Sequence, residues 1–399
     1  MTALLSRLLG RLPVGWMQLM HNRTRLIAAV GGVTFANVLI FMQLGFMNAL
    51  FETSVLSHRT LDADLVLVSS DFHSLREANP IPRARMFEAM SVGGIANTTP
   101  VYLDSILWTD PTNGDTTNFQ VIGVNPDQPA FTDPKLQGQI LNLREADSAL
   151  VDSRTREFSP AIETALTSGD RFEIEVGGRK INLVGMYSQG ASFDVDGSII
   201  VSDQTFLRMF PRRKAGTPTL VLAHVDAESS QPHRPQRLEH IAAQVTQRFA
   251  ETDTIALTKT GFVAAEQDYQ ATQTPIGFVF GFGVAIGLVV GLVIVYQVLS
   301  TDVQDHLSEY ATFKAIGYAP RFFFGIVFEE AISLAALGFV PGLAISLALY
   351  ALASSATGLP ISMPVSRPVQ VFVLTTVMCT VSGAIATRRL NSADPAELF

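Results

Sequence analysis

The sequence predicts an α+β membrane protein: four transmembrane helices, with a large mixed α/β domain inserted between the first and the second. Three observations predict it. Charged residues make up only 16% of the 399-residue chain, against about 25% in ordinary soluble domains, and the mean hydropathy is +0.29. Four segments, Leu26–Phe46, Ile276–Val298, Phe322–Leu352 and Val369–Ala386, are apolar over the roughly 20 residues that a bilayer-crossing helix needs. Between the first two lies a polar stretch of about 225 residues, room for one large domain or two small ones.

The elements follow in order. Residues 1–25 form an amphipathic N-terminal segment, and 26–46 the first span. That apolar run is too long and too far from the start for a cleavable signal peptide, and no small-residue cleavage site follows it. Arg7, Arg11, Arg23 and Arg25 precede the first span, and Arg388 and Arg389 follow the last. Basic residues favour the cytoplasmic side, so both termini are expected there. Residues 47–272 are then external, 276–298 the second span and 299–321 a cytoplasmic loop. Residues 322–352 form the third span, 353–368 a short external loop, 369–386 the fourth span and 387–399 a cytoplasmic tail. The only cysteine, Cys379, lies in the fourth span. The external domain therefore has no disulfide and must rest on a core of its own.

Within 47–272 strands and helices alternate. Ala63–Val68 is rich in β-formers but alternates poorly, and Phe119–Val124 reads as a second strand. Arg171–Tyr187 is a hairpin, two alternating runs around Gly177-Gly178, a favoured two-residue turn. Ser198–Val201, Leu220–Val225 and Thr254–Leu257 read as further strands. Leu238, Ile241, Ala242, Val245 and Phe249 recur at helical spacing and predict a helix over 237–249. Asn125–Pro134 and 211–218 are candidate junctions between two subdomains.

No active site is legible. The sequence contains no G-x-x-x-x-G-K-[ST], H-E-x-x-H, paired C-x-x-C or G-x-S-x-G. Its seven histidines lack zinc spacing, and Phe193–Gly197 lacks the remaining ligands of a calcium loop and reads as an Asp-Gly turn. The Asn97-Thr98-Thr99 sequon is too short a pattern to carry weight. No cofactor and no nucleic-acid partner is expected.

The spans carry few polar groups, unlike the polar-lined path through which many transporters move solutes. Glu329 and Glu330, within two turns of the cytoplasmic end of the third span, are the exceptions. Interfacial placement, with Lys314 or Arg321 as partner, or helix packing is one reading of the pair; a part in coupling is the other. Asn37 and Gln43 suit helix-to-helix hydrogen bonds. Gly283, Gly287 and Gly291 share one face of the second span, for packing within the chain or against a second copy. Pro341, between Gly338 and Gly342, is expected to kink or interrupt the third span.

The loop after the second span is the most informative part. Leu299, Val303, Leu307 and Tyr310 form an apolar stripe, and Asp302, Asp305 and Glu309 fall on another face. An amphipathic helix is expected there, ending at a turn at Gly317. An interfacial helix would show similar amphipathicity, but acidic residues facing the cytoplasm suit a protein partner.

Glu309-Tyr310-Ala311-Thr312-Phe313-Lys314-Ala315-Ile316-Gly317, followed by Glu330-Ala331, resembles the Glu-x-x-x-Leu-Lys/Arg-Ala-Leu/Ile-Gly segment of the FtsX/MacB permease superfamily. The ending Asp394-Pro395-Ala396-Glu397 is similar to that family's tail, and the one-plus-three layout of spans agrees. More narrowly, Phe41–Phe46, Leu61–Val66, Gly123–Pro129, Thr274–Phe278 and Tyr296–Val303 resemble the DevC-type permeases of heterocyst-glycolipid exporters. Gln304-Asp305-His306 departs from the basic residues that relatives often carry there.

The resemblance implies a MacB/FtsX-like fold and a non-catalytic ABC transporter subunit in a bacterial inner membrane, with 47–272 and 353–368 periplasmic. ATP and magnesium would be held by a separate cytoplasmic, DevA-like ATPase. Asp302, Asp305, His306, Glu309, Tyr310, Phe313, Lys314 and Gly317 would form the helix docked on it. It also implies a homodimer, a DevB-like periplasmic membrane fusion protein, a TolC-like outer-membrane channel and a lipid or other amphiphilic cargo. ATP-driven motion would reach the periplasmic domain by mechanotransmission. Lipoprotein extraction and FtsX-like control of a cell-wall hydrolase are alternatives within the superfamily. A membrane-anchored sensor or scaffold is the alternative outside it.

Overall fold

A computed structural model of the chain describes residues 14–110, 114–226, 234–249, 253–306, 316–318 and 320–392. They divide into two units: Leu50–Gly277 with Thr357–Pro360, and 14–49 with Phe278–Ala356 and 361–392.

In chain order the elements are α1 (Val14–His21), α2 (Arg23–Ser54), α3 (Leu56–Thr60), β1 (Leu65–Ser69), α4 (Ala84–Ala89), β2 (Ile95–Thr109) and β3 (Thr116–Val124). They continue with α5 (Pro134–Ile140), β4 (Ser148–Asp152), α6 (Pro160–Thr167), β5 (Phe172–Val176), β6 (Arg179–Tyr187) and β7 (Gly197–Ser202). The rest are α7 (Asp203–Met209), β8 (Leu220–Val225), α8 (Arg234–Arg248), β9 (Thr254–Thr258), α9 (Lys259–Thr272), α10 (Pro275–Asp305), α11 (Pro320–Thr357) and α12 (Ser366–Ser392).

All nine strands join one mixed sheet in the order β5-β6-β4-β7-β3-β2-β8-β1-β9. Its middle is apolar on both faces. Val121 and Ile199 pack into one cluster, whereas the adjacent Ile122 and Ile200 pack into another. Leu65 and Leu67 are likewise split from Val66 and Val68. That is the reason Ala63–Val68 alternates poorly: a strand covered on both faces needs no polar side. The β5–β6 hairpin turns at Gly177 and Gly178, whose φ of 60° and 73° are the two left-handed conformations a type I′ turn requires.

Two strands were not legible in the sequence. β2 carries Pro100, which argues against an interior strand, yet it pairs with β3 over Val101–Thr109 and with β8 over Ile95–Val101. β4 has only five residues and is buried throughout. The candidate junctions at 125–134 and 211–218 do not divide the domain, because β3 and β4 flank the first, β7 and β8 flank the second, and all four share the sheet. Tyr187 is buried at one end of β6, where its hydroxyl donates to Ser198 Oγ at 2.7 Å. Burial, and then the Asp152 carboxylate, push its pKa well above the ordinary tyrosine value.

In the second unit, α2, α10, α11 and α12 are each long and apolar enough to cross a membrane. α11 is unbroken through Pro341, contrary to the expected interruption. The ring removes the donor that would serve the Leu337 carbonyl, and at the next carbonyl, that of Gly338, the Thr34 hydroxyl of α2 donates at 3.2 Å. Gly338 and Gly342 make that approach possible. A Cβ at Gly338 would lie 2.5 Å from Val33 Cγ1, and one at Gly342 would lie 2.8 Å from Asn37 Cβ.

Candidate functional site

Asn22 separates α1 from α2, and its Oδ1 accepts from the Arg25 backbone amide at 3.2 Å. This cap fixes the first turn of α2 and aims Arg25 at the end of α10. The guanidinium lies 3.5 Å from Asp302 and 2.5 Å from Asp305. Those two carboxylates share a helix face through their spacing of three. His306 closes the group: its Nδ1 lies 3.0 Å from the Asp302 carbonyl and 3.7 Å from the Asp302 carboxylate.

α11 brings two more carboxylates to the same place. Glu329 Oε1 accepts from the Trp16 backbone amide at 3.2 Å. Glu330 is fully buried, and its carboxyl lies against Asp302 and Glu329. α1 fits flush over them because residue 15 is glycine. A Cβ there would meet the Ile326 carbonyl at 2.6 Å and Glu330 Cγ at 3.0 Å. The cavity beside Asp302 is only about 10 Å³, room for a single water at most. Among the described residues no group of three or more His, Cys, Asp or Glu could hold a metal ion.

One expectation changes. Asp302 does not display its charge to a partner, since its side chain is 8% exposed. The reason is that α10 runs on to Asp305 instead of ending near Val298, so Leu299 and Val303 are buried in the helical core and Asp302 is carried in beside them. Asp305 remains half exposed. Glu329 and Glu330 are both buried, packed against α1 and the end of α10. Gly317 is exposed in a turn with φ +103°, the left-handed backbone that glycine adopts without strain. Glu309, Tyr310, Phe313 and Lys314 lie outside the described residues.

The glycine face of α10 is filled from within the chain. A Cβ at Gly283 would meet Gln43, one at Gly287 would meet Ile40, and one at Gly291 would meet Ala36 and Met378. The packing reading therefore accounts for the stripe without a second copy. Asn37 Oδ1 accepts from Thr375, joining α2 to α12. Arg367 is a polar residue the sequence reading passed over. It lies in the first turn of α12, is buried, and donates to the Leu44 carbonyl and to Asn48 Oδ1. Its position just outside the apolar run of the fourth span was the one available signal.

Residues 281–395 match the family model of the FtsX-like permease C-terminal. This FtsX-like stretch is less than a third of the chain; it takes in most of α10, all of α11 and α12, and none of the nine strands. With four helices of spanning length, it indicates a multi-pass membrane protein. Among solved structures, the periplasmic region of MacB from Actinobacillus actinomycetemcomitans is similar over 52% of this chain and 92% of that one, at 8% identity and a TM-score of 0.33. The extracellular domain of the noncanonic ABC-type transporter YknZ from Gram-positive bacteria is similar over 49% of this chain and 98% of that one, at 12% identity and a TM-score of 0.31. No curated protein matches the chain.

Proposed function

We propose that this chain is the permease subunit of an ABC exporter and relays the work of a separate cytoplasmic ATPase to its external domain. The observation that carries the reading is the FtsX-like match over 281–395, which includes the segment expected to dock the ATPase. The chain has no P-loop with which to bind ATP itself. The Arg25 clamp supports mechanical coupling. It joins the start of the first apolar helix to the end of the second, so a push on the segment after Asp305 would act on both helices together. Polar groups within the helices, such as Asn37 and Thr375, are used between helices and not along a conduit.

In this reading two copies work with two DevA-like ATPase subunits, a DevB-like membrane fusion protein and a TolC-like channel. The cargo is a glycolipid or another amphiphile, and both termini are cytoplasmic at the inner membrane. The test is a tagged purification from native membranes in mild detergent, followed by mass spectrometry of bound proteins. An ATPase arriving with an adaptor is expected. An ATPase alone, or one accompanied by a hydrolase, would leave mechanical coupling but remove the export conduit. No ATPase would overturn the reading in favour of a scaffold.

A further inference from the structure

Four carboxyl groups, those of Asp302, Asp305, Glu329 and Glu330, gather where the end of α10 meets α1, α2 and α11. Arg25 is the one guanidinium paired with them among the described residues. His306 adds an imidazole 3.7 Å from the Asp302 carboxylate, and His21 and Arg23 are exposed. Of the titratable groups described on α12, Cys379 alone joins the apolar cluster that holds Val303 and Ala331, the residues after Asp302 and Glu330.

Hydrogen-bond donors are as scarce there as cations. The Trp16 amide serves Glu329 Oε1, and Arg25 serves Asp305 and faces Asp302 Oδ1 at 3.5 Å. No donor among the described residues serves Asp302 Oδ2 or either oxygen of Glu330, and all three are sealed from solvent. The two side chains nevertheless lie within hydrogen-bonding range of each other. The small cavity beside Asp302 is no remedy, since Glu330 does not line it. If both groups were ionised, acceptor would face acceptor and like charge would face like charge, away from water. A protonated carboxyl is instead a donor. One proton between the two removes a charge and supplies the missing bond at once.

We infer that Asp302 and Glu330 hold one proton between them, and that this proton keeps α1 seated on the end of α10 and on α11. It belongs to the pair and not to either residue alone. A Cβ at Gly15 would lie 3.0 Å from Glu330 Cγ, and Trp16 donates to Glu329, so α1 lies directly over the site. Without the proton, Asp302, Glu329 and Glu330 would be adjacent carboxylates beside one guanidinium, and only movement of α1 or α10 would separate them. A proton is therefore given up when this junction opens and taken up when it closes. The inference does not depend on the ATPase proposed above, and its test uses this chain without one.

The full chain is examined by infrared spectroscopy in a maltoside detergent, which has no carbonyl group of its own. At neutral pH the parent should show the C=O stretch of a protonated carboxyl, shifted in D2O. Glu330→Gln should abolish that band, whereas Glu329→Gln and Asp305→Asn should keep it. Asp302→Asn replaces the partner carboxylate by an amide and should move or remove it. As pH is raised, loss of the band should coincide with a change in Trp16 emission, read in a Trp108→Phe background and missing from Glu330→Gln. No protonated carboxyl in the parent would overturn the inference. So would a band unchanged in both Glu330→Gln and Asp302→Asn, or one that Glu329→Gln removes and Glu330→Gln keeps. Loss of the band with no change at Trp16 would deny the proton any part in seating α1. If Glu330→Gln does not fold, the band in Asp302→Asn still decides.

Discussion

Asp152 in the sheet unit and Glu330 in the helical unit are both buried carboxyl groups with no exposed surface. Asp152 accepts from three backbone amides, those of Arg154, Gln189 and Gly190, at 3.0, 2.9 and 2.6 Å. Glu330 accepts from no backbone amide among the described residues. The difference is one of supply. Loops at the end of a strand leave N–H groups free, whereas the interior of a helix commits each one to the carbonyl four residues back. Glu329 shows the one way round this, since its partner is the Trp16 amide in the first turn of α1, where donors are still free. Asp152 stabilises the sheet unit, whereas Glu330 burdens the helical one.

That contrast can be broken with paired variants, and the chain supplies a probe for each unit. Trp16 belongs to the helical unit and Trp108 to the sheet unit, and there are no other tryptophans. Asp152→Ala should have the largest effect, about 3 kcal/mol or more, because it strands three buried donors. Trp108 fluorescence during denaturation measures it, and a loss under 1 kcal/mol would show that the amides find other partners, on the order of a surface change. Gly338→Leu should destabilise the helical unit by about 3 kcal/mol, the upper end for overpacking, since the new side chain meets β-branched Val33 and the backbone of Thr34. A Trp16 transition unchanged from the parent would deny the close approach of α2 and α11.

Arg25→Gln leaves Asp302 buried without its cation. The expected loss is about 2 kcal/mol, below the 3–5 of a fully buried pair because Arg25 keeps some solvent contact. Salt should not abolish it, whereas an exposed pair would be screened. Glu330→Leu is expected to have the opposite sign, a gain of about 1 kcal/mol, since apolar groups often replace buried ionic ones without loss. A loss as large as that of Asp152→Ala would erase the contrast between the units.

The smallest effect concerns pH. Tyr187 has a pKa raised well above 10.0 in the folded chain. Its contribution to stability is therefore fully present below about pH 10, the unfolded value. It is lost as pH rises from there through the folded value, because only the unfolded chain then releases the proton. Tyr187→Phe should flatten the alkaline decline read by Trp108. An unchanged slope would place the decline on other groups.

Much of the fold could be read from the sequence because it depends on local pattern. Four apolar runs of spanning length, the Gly177-Gly178 turn and the helical spacing from Leu238 to Val245 each need only neighbours along the chain, and each corresponds to an element of the structure. The strands that join the sheet into one were not legible for the same reason. β2 looks wrong as a strand because of Pro100, and only its pairing with β3 and β8 makes it one.

The candidate site divides in the same way. Charge and spacing alone singled out Asp302, Asp305, Glu329 and Glu330, and glycine spacing alone identified a packing face on α10. What those groups touch was decided by the tertiary structure. Arg25 meets Asp305 across 280 residues of sequence, and Trp16 meets Glu329 across 313. A helical period tells which residues share a face. Whether that face meets water, lipid or another carboxylate depends on chain segments far away in sequence, and no local pattern records them.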